Sequence, residues 1–184
     1  MRIMVIDDDR LIRTLARDAL EAEGFEVDDF SGGVEALENF DRVQPELVML
    51  DLEMPEMDGL SVCRELRRRH GLDTTPILIV TGSVDAESIL SAYAAGASDF
   101  VTKPVSWPLL THRVRNLIET GRVLARVQES EASLANAQRI AGVGSWEWNI
   151  RTNEMRWSHE VFRLLGLDEE REAVVHLTMV GPGD

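Results

Sequence analysis

The stretch Leu47-Val48-Met49-Leu50-Asp51 decides the fold, because it is a run of four apolar residues that ends in one carboxylate. Pro45 precedes the run and Pro55 follows it, so the pattern predicts a short strand that is buried on both faces. Strands of this kind lie in parallel sheets, and parallel α/β sheets bind ligands beyond the carboxyl ends of their strands. Asp51 lies at that end. Since no basic residue is close in sequence, its carboxylate needs a partner that the fold brings to it.

Four other segments are strand-like, and they alternate with segments of helical spacing. The five predicted strands are Arg2–Ile6, Phe25–Phe30, Leu47–Leu50, Ile77–Val80 and Asp99–Thr102. The predicted helices cover residues 12–20 (closed by Gly24), 33–41, 60–69, 85–95 and the segment from 107 onward. This alternation predicts an α/β fold with a doubly wound parallel sheet. In the flavodoxin-like strand order 2-1-3-4-5, the first and third strands flank the switch point where ligands bind.

The composition predicts a soluble globular chain with room for one full domain and a smaller piece: 184 residues, 44% hydrophobic and 28% charged. The 33 acidic and 19 basic residues give a net charge of −14, which argues against a nucleic-acid or anionic membrane surface. No apolar run approaches the ~18 residues of a membrane span. The N-terminus begins directly with a strand, so we expect a cytoplasmic protein without a signal peptide. The single cysteine, Cys63, is expected to be buried or half-buried.

Polar residues follow four of the predicted strands and are expected to meet at one edge of the sheet. They are Asp7 and Asp8 after the first strand, Asp51 at the end of the third, Thr81 after the fourth and Lys103 after the fifth. Three clustered carboxylates repel one another, a cost that Mg²⁺ would remove. A carboxylate can attack phosphorus to form an aspartyl-phosphate, with a lysine supplying positive charge and a threonine a hydroxyl donor. Because no Walker-type glycine loop is present, the expected phosphoryl donor is another protein or a small acyl phosphate.

Over residues 1 to about 118, the chain resembles the receiver domain of two-component response regulators. The segments that carry the resemblance are Val5-Ile6-Asp7-Asp8-Asp9, Met49 to Gly59, Val80-Thr81-Gly82 and Val101-Thr102-Lys103-Pro104. The resemblance implies that Asp51 accepts a phosphoryl group from a histidine kinase or a phosphotransfer protein. It also implies that Asp8 and Asp51 bind Mg²⁺ directly, Asp7 through water, and Glu53 through its backbone carbonyl.

The same resemblance assigns roles to the residues around the acceptor. Thr81 and Lys103 would hold phosphoryl oxygens, and the bond from Lys103 to the following proline would be cis. The switch aromatic of the family falls on Phe100, which has no hydroxyl, so the switch would be read by packing alone. Glu53 lies two residues after Asp51, at a position that tunes phosphate lifetime, and its carboxylate could either orient or repel the attacking water.

Three conspicuous polar groups have simpler interpretations. Asp9 is predicted to be a helix N-cap rather than a ligand. The pair Asp58-Gly59 is a turn signal. The run Arg67-Arg68-Arg69 is predicted to be a solvated helix end that the helix dipole favours.

Residues 119–140 are predicted to form a helical, coiled-coil-like linker. Leu110, Leu117 and Leu124 are seven residues apart, and Val127 and Leu134 form a second series with the same spacing. If the helix extends from 107 to 140, we favour a parallel homodimeric coiled coil over a helix packed back on its own domain.

Residues 141–184 resemble the beginning of a PAS sensor domain. The resemblance is carried by the segment 140–148 and by Met155-Arg156-Trp157-Ser158, and the pattern predicts strand, turn, strand and helix. The later strands of a PAS sheet are missing, so we expect an incomplete α+β fragment from a longer protein. By analogy its output module, a cyclic-dinucleotide enzyme or a histidine kinase, would lie beyond residue 184. Within the chain we expect no enzyme activity other than the phosphoryl chemistry of Asp51.

Two alternative functions remain open from the residues alone. A haloacid-dehalogenase-like phosphatase also combines an aspartate nucleophile with Thr, Lys and Mg²⁺, but its nucleophile strand resembles Asp-x-Asp. Here the corresponding segment is Asp51-Leu52-Glu53. The other alternative is a dimerisation module for which phosphorylation is irrelevant.

Overall fold

The computed structural model describes residues 1–70, 75–82, 86–152 and 154–167. The chain divides into two compact units, Met1–Ala125 and Arg126–Asp184. Among the described residues, no helix is both long enough and apolar enough to span a membrane.

The first unit contains five strands and five helices in strict alternation. The strands are β1 (Arg2–Ile6), β2 (Glu26–Phe30), β3 (Leu47–Asp51), β4 (Ile77–Thr81) and β5 (Asp99–Thr102). The helices are α1 (Arg10–Ala22), α2 (Gly33–Val43), α3 (Gly59–His70), α4 (Ala86–Ala94) and α5 (Trp107–Ala141), of which α5 continues into the second unit.

All five strands pair in parallel in the order β2-β1-β3-β4-β5, which confirms the predicted flavodoxin-like sheet. The organising strand β3 pairs with β1 on one side and β4 on the other, and all of its residues are buried. Its side chains alternate between two apolar cores, as the period of a strand requires. Val48 and Leu50 contribute to the core on one face of the sheet, and Leu47 and Met49 to the core on the other.

The element ends follow the predicted capping residues, with small shifts of boundary. The carboxylate of Asp9 accepts a hydrogen bond from the Leu11 amide at 2.8 Å, which confirms it as the N-cap of α1. Gly24 closes the helix with a positive φ of 84°, a conformation that favours glycine. The strands β3 and β4 extend one residue further than predicted, to Asp51 and Thr81, because the ladder continues through these residues. The predicted start of the fourth helix, residue 85, lies outside the described residues.

The arginine run at the end of α3 is only partly a solvated helix end. Arg68 and Arg69 form ion pairs with Glu65 on the surface of the helix, which agrees with the predicted solvated helix end. For Arg67 the prediction is wrong, because its guanidinium donates hydrogen bonds to the backbone carbonyls of Gly96 and Thr75, both at 2.9 Å. Arg67 therefore ties α3 to the segments that precede β4 and β5.

The first half of α5 packs on the sheet. Its buried residues are Leu110, Thr111, Val114, Ile118 and Gly121, and Leu117 is half-buried against the same core. The interpretation of Leu110 and Leu117 as coiled-coil positions is therefore wrong, since both contribute to the receiver core. Beyond this point, every residue from 126 to 137 is exposed.

The second unit contains the end of α5, an antiparallel hairpin of β6 (Trp146–Asn149) and β7 (Glu154–Trp157), and the short helix α6 (His159–Leu165). The predicted sequence of strand, turn, strand and helix is confirmed. Trp157 packs against Phe162 of α6 with ring centroids 5.5 Å apart. A Cβ on Gly144 would lie 2.3 Å from the Val161 side chain, so the approach of this loop to α6 requires glycine.

Candidate functional site

The predicted site residues converge at the edge of the sheet where the parallel strands end. Asp7 follows β1, Asp51 is the last residue of β3, and Lys103 follows β5. The side chains of Asp7 and Asp51 are 2% and 5% exposed, whereas that of Lys103 is 26% exposed. The sequence analysis expected the fold to bring a partner to the Asp51 carboxylate. That partner is Lys103, which lies 52 residues later in the chain.

Lys103 joins the two buried carboxylates. Its Nζ lies 3.0 Å from Oδ2 of Asp7 and 3.1 Å from Oδ1 of Asp51. The other oxygen of Asp7 accepts a hydrogen bond from the backbone amide of Asp9 at 2.8 Å. One ammonium thus stabilises two carboxylates that would otherwise repel each other in a water-poor edge of the sheet.

Asp8 completes an acidic cluster that suits a small divalent cation. One carboxylate oxygen from each of Asp7, Asp8 and Asp51 lies within 4.8 Å of the other two. Asp8 is exposed, so the cluster opens to solvent on one side. Hard oxygen ligands with access for water match the preference of Mg²⁺, which keeps several waters when it binds to proteins. The residues present therefore fit the metal that the sequence implied.

The surroundings change the proton affinity of both partners in the central ion pair. Burial raises the pKa of the Asp51 carboxyl, and the nearby negative charge of Asp7 raises it as well. The hydrogen bond from Lys103 acts in the opposite direction but does not cancel the rise. Burial alone would lower the pKa of Lys103, but its hydrogen bonds to Asp7 and Asp51 hold that pKa above its ordinary value. The lysine therefore carries its positive charge at neutral pH.

The remaining predicted residues lie around this centre. Thr81 is buried at the end of β4, and its carbonyl accepts a hydrogen bond from the Lys103 amide at 2.8 Å. The bond between Lys103 and Pro104 is cis. Phe100 is half-buried on β5 and makes an edge-to-face contact with Tyr93 of α4, with centroids 6.1 Å apart. Glu53 is exposed in the loop after β3. The binding of Mg²⁺ by its backbone carbonyl stays a prediction.

Sequence reasoning missed Arg13, which braces the acidic loop. Its guanidinium donates hydrogen bonds to the carbonyls of Asp7 and Asp8, at 2.7 and 3.0 Å, and to the carboxylate of Asp29 at 3.1 Å. Arg13 lies in the first turn of α1, where the sequence suggests an ordinary polar helix residue. No local pattern would have identified it, because Asp29 comes from a different strand.

Gly59 is a second residue with a role that was not predicted, because it does more than form a turn. A Cβ at this position would lie 2.1 Å from the carbonyl oxygen of Asp51, so no other residue fits without moving the backbone of the site. Its amide donates to the Leu52 carbonyl at 2.9 Å, and the preceding Asp58 accepts from the Ser61 amide at 2.7 Å. The pair therefore starts α3 and closes the loop directly behind Asp51.

The type of basic residue at position 103 is itself distinctive. Lys103 is the only lysine among the 19 basic side chains, and all the others are arginine. An ammonium is a compact charge on a flexible stem, whereas a guanidinium is a broad planar fork. The residue that bridges Asp7 and Asp51 therefore carries a compact charge on a flexible stem.

Comparison with known proteins agrees with this geometry. The family model of the response regulator receiver domain matches residues 3–115. The response regulator MprA of Mycobacterium leprae is 40% identical over 118 residues, which cover 64% of this chain and 51% of that protein. A probable transcriptional regulator, ycf27 of Porphyridium aerugineum, is 33% identical over 91% of this chain and 66% of its own length. The chain thus spans about half to two thirds of these relatives.

Solved structures of receiver domains share the fold. The receiver domain of the Francisella response regulator 1452 is similar with a TM-score of 0.60 and 28% identity, covering 64% of this chain and 96% of that one. The BeF3-activated DrrB receiver domain is similar with a TM-score of 0.58 and 33% identity, covering 64% and 97% of the two chains. The resemblance of residues 1 to about 118 to receiver domains is therefore confirmed. The chain belongs to the response regulator receiver domain family.

Proposed function

We propose that Asp51 is the residue that takes the phosphoryl group. The observation that carries the proposal is the cluster in which Lys103 bridges the buried Asp7 and Asp51 at the ligand-binding edge of the sheet. Receiver domains are phosphorylated by histidine kinases or phosphotransfer proteins. In the proposed reaction an Oδ of Asp51 forms the new bond to phosphorus, and the bond from phosphorus to the donor's imidazole nitrogen breaks with its electron pair leaving on the nitrogen.

Mg²⁺ would be held by Asp8 and Asp51 directly, by Asp7 through water and by the backbone carbonyl of Glu53. When bound, the metal supplies positive charge that offsets the negative charge of the phosphoryl oxygens and of the carboxylates. Asp7 is held in place by the Asp9 amide and by Lys103, so it is pre-oriented for a role in the outer coordination sphere.

Lys103 and Thr81 are proposed to hold the phosphoryl oxygens after transfer. The Lys103 ammonium is already within hydrogen-bond distance of Asp51, so a small movement would bring it to an oxygen of the phosphoryl group. Thr81 ends the neighbouring strand β4 in register with Thr102 of β5, on the same edge as Asp51. Reorientation of Thr81 towards the phosphoryl group would open space that Phe100 can fill, which we propose as the switch.

The segments after the receiver are proposed to carry the signal onward. We assign residues 1–118 to the receiver, 119–140 to a helical linker and 141–184 to the beginning of a PAS-like domain. The hairpin of β6 and β7 followed by α6 supports the last assignment. We also propose that an output module lies beyond the PAS-like region. The phosphoryl group is proposed to be hydrolysed slowly from Asp51.

The acceptor is tested by intact-mass measurement after incubation with acetyl phosphate and Mg²⁺. We expect the wild type to gain the mass of one phosphoryl group and Asp51→Asn to gain none. Asp9→Asn is the matched control, because Asp9 lies in the acidic loop but caps α1. Equal gain by wild type and Asp51→Asn would overturn the assignment.

We also propose that the chain forms a homodimer through the second half of α5. The apolar residues Leu124, Val127 and Leu134 are 37%, 47% and 61% exposed in the single chain. Sedimentation with and without beryllofluoride, a phosphoryl mimic, should show a dimer that becomes tighter with the mimic. A dimer whose dissociation constant is the same with and without the mimic would support a dimerisation module independent of phosphorylation.

A further inference from the structure

The three carboxylates of the acidic cluster are held in different ways. Asp7 accepts a hydrogen bond from the Asp9 amide at 2.8 Å and lies 3.0 Å from the Lys103 ammonium, which also binds Asp51. The Asp8 carboxylate is exposed, and none of the residues that the structure describes donates a hydrogen bond to it or forms an ion pair with it. The direction in which Asp8 points therefore depends on the position of its own backbone.

Arg13 of α1 holds that backbone on both sides of Asp8. Its Nη1 donates to the Asp7 carbonyl at 2.7 Å and to the Asp8 carbonyl at 3.0 Å. These carbonyls belong to the two peptide groups that flank the Asp8 Cα, so one nitrogen fixes both groups. Because the two peptide groups determine where the Cα–Cβ bond points, Arg13 directs the Asp8 side chain towards the oxygens of Asp7 and Asp51.

Asp29 of β2 offsets the charge of Arg13. A guanidinium without a counter-ion beside this cluster would repel a divalent cation, because like charges repel, and more strongly where little water intervenes. The Arg13 Nε lies 3.1 Å from Oδ2 of Asp29, and the two side chains are 14% and 27% exposed. Arg17 also pairs with Asp29 and with Glu21, so the four side chains carry two positive and two negative charges. Arg13 therefore supplies hydrogen bonds to the loop without adding net positive charge.

This arrangement uses two separate nitrogens of the Arg13 side chain. The Nη1 contacts the loop and the Nε contacts Asp29. A lysine at this position would carry the same charge on a single nitrogen, and an ammonium lacks the fixed fork of a guanidinium. If Arg13 contributes geometry rather than charge, a lysine cannot replace it.

We infer that Arg13 is a positioning residue for the proposed Mg²⁺ site. It holds the Asp8 backbone so that the Asp8 carboxylate is in place before the ion binds, and Asp29 offsets its charge. The inference rests on the proposed binding of Mg²⁺ by Asp8 and Asp51. It predicts an effect whose sign is opposite to that of simple electrostatics. Removing a positive charge near the cluster favours a cation, whereas removing the support of the loop weakens cation binding.

Titration calorimetry of the full chain with Mg²⁺ alone tests this sign. We expect Arg13→Gln and Arg13→Lys each to raise the Mg²⁺ dissociation constant at least about fivefold, because neither side chain can hold both carbonyls and Asp29. The matched control is Arg10→Gln, which removes the same charge from the exposed surface of the same helical turn. Its dissociation constant should stay within about twofold of wild type. Arg17→Gln controls for lost stability, because Arg17 binds Asp29 and the Val27 carbonyl instead of the acidic loop.

Asp29→Asn separates the charge contribution from the geometric one. It deprives the Arg13 guanidinium of its counter-ion, so we expect a higher Mg²⁺ dissociation constant at low ionic strength. This increase should shrink in about 0.5 M salt, because salt screens the repulsion. The increase for Arg13→Gln should persist in the same salt, since it comes from lost hydrogen bonds.

Three results would overturn the inference. They are wild-type Mg²⁺ affinity in the Arg13 variants, tighter binding by Arg13→Gln, and full rescue by Arg13→Lys, which would show that only the charge matters. Either Arg13 variant gives the test if the other does not fold. The proposed acceptor would stand in all three cases, provided that the wild type binds Mg²⁺ and gains mass at Asp51. A wild-type chain that binds no Mg²⁺ would remove the proposed metal site and this inference together.

Discussion

At the scale of single residues, the site depends on one cation placed between two carboxylates. Lys103 lies within 3.1 Å of an oxygen of Asp51 and 3.0 Å of an oxygen of Asp7. Both carboxylates are almost completely buried, so water does little to stabilise their negative charges. The ammonium that we propose as a ligand of the phosphoryl group therefore also stabilises the acidic edge of the sheet.

Lys103→Met tests this stabilising role. Removing the ammonium leaves two facing carboxylates, and we expect the free energy of unfolding in EDTA to fall by about 1 to 3 kcal/mol. The expected change is moderate because the Lys103 side chain is 26% exposed. Urea denaturation measures the change, and added Mg²⁺ should recover more stability in the variant than in wild type. Equal stability of the two proteins in EDTA would contradict the expectation.

Gly59→Ala tests the backbone packing behind Asp51. The new Cβ would lie 2.1 Å from the Asp51 carbonyl oxygen, so the loop or the end of β3 must move. We expect a loss of about 2 to 4 kcal/mol in unfolding free energy. Gly82→Ala is the matched control, because a Cβ there has no neighbour within 4 Å. Thermal unfolding of the two variants should differ clearly, and equal midpoints would refute the steric argument.

At the scale of elements, the loop that carries the acidic residues is held by side chains from α1 and β2. Arg13 and Arg17 of α1 both donate hydrogen bonds to the Asp29 carboxylate, and Arg13 also binds the carbonyls of Asp7 and Asp8. Although burial of Asp29 acts in the opposite direction, the two guanidinium groups hold the pKa of its carboxyl below the ordinary value. The position of the acidic loop is therefore coupled to the packing of α1 on the sheet edge.

This ion-pair group predicts a specific pH dependence. Because the pKa of Asp29 is lower in the folded chain than in the unfolded one, its stabilisation is complete above the unfolded value of 3.8 and disappears as the pH falls through the lower folded value. Asp29→Asn should therefore cost about 0.5 to 1 kcal/mol near neutral pH and almost nothing at strongly acid pH. Urea titrations at several pH values measure this, with Asp18→Asn on the exposed surface of α1 as the control. A difference between wild type and Asp29→Asn that grows on acidification would contradict the sign.

At the scale of the whole molecule, the receiver and the segments after it are separate units. Every residue of the two large apolar cores lies between Ile3 and Ile118. The first half of α5 belongs to this receiver unit, since Arg122 also donates a hydrogen bond to Glu46 at 2.9 Å. The boundary between the units falls inside α5, after Ala125.

Truncation tests this division. A chain that ends at Ala125 retains the whole receiver core and the bond between Arg122 and Glu46. We expect it to unfold cooperatively and to take up one phosphoryl group from acetyl phosphate. A chain that ends at Ser106 lacks Leu110, Val114 and Ile118, so it should show no cooperative transition. Failure of the longer fragment to fold would show that the receiver depends on the second unit.

The site was largely readable from the sequence, because its members follow strands whose order the α/β pattern restricts. Asp7, Asp8, Asp51, Thr81 and Lys103 each stand at the end of a predicted strand, and parallel strands end at one edge. The prediction was wrong for Arg67, because its partners lie in distant segments that no strand-end rule brings to it. Arg67 has the sequence context of a solvated helix end, and only its contacts with Gly96 and Thr75 make it structural.

By itself, the amino-acid sequence determined the parallel sheet, its strand order and the identity of the residues at its edge, since periodicity and strand-end chemistry are local properties. Only the tertiary structure decided that Lys103 bridges Asp7 and Asp51, that Arg13 braces the acidic loop, and that Gly59 lies against the backbone of Asp51. It also decided which leucines of α5 belong to the receiver core and which remain exposed. The reason is physical: a heptad spacing says which residues share a face, but burial depends on what the rest of the chain places against that face.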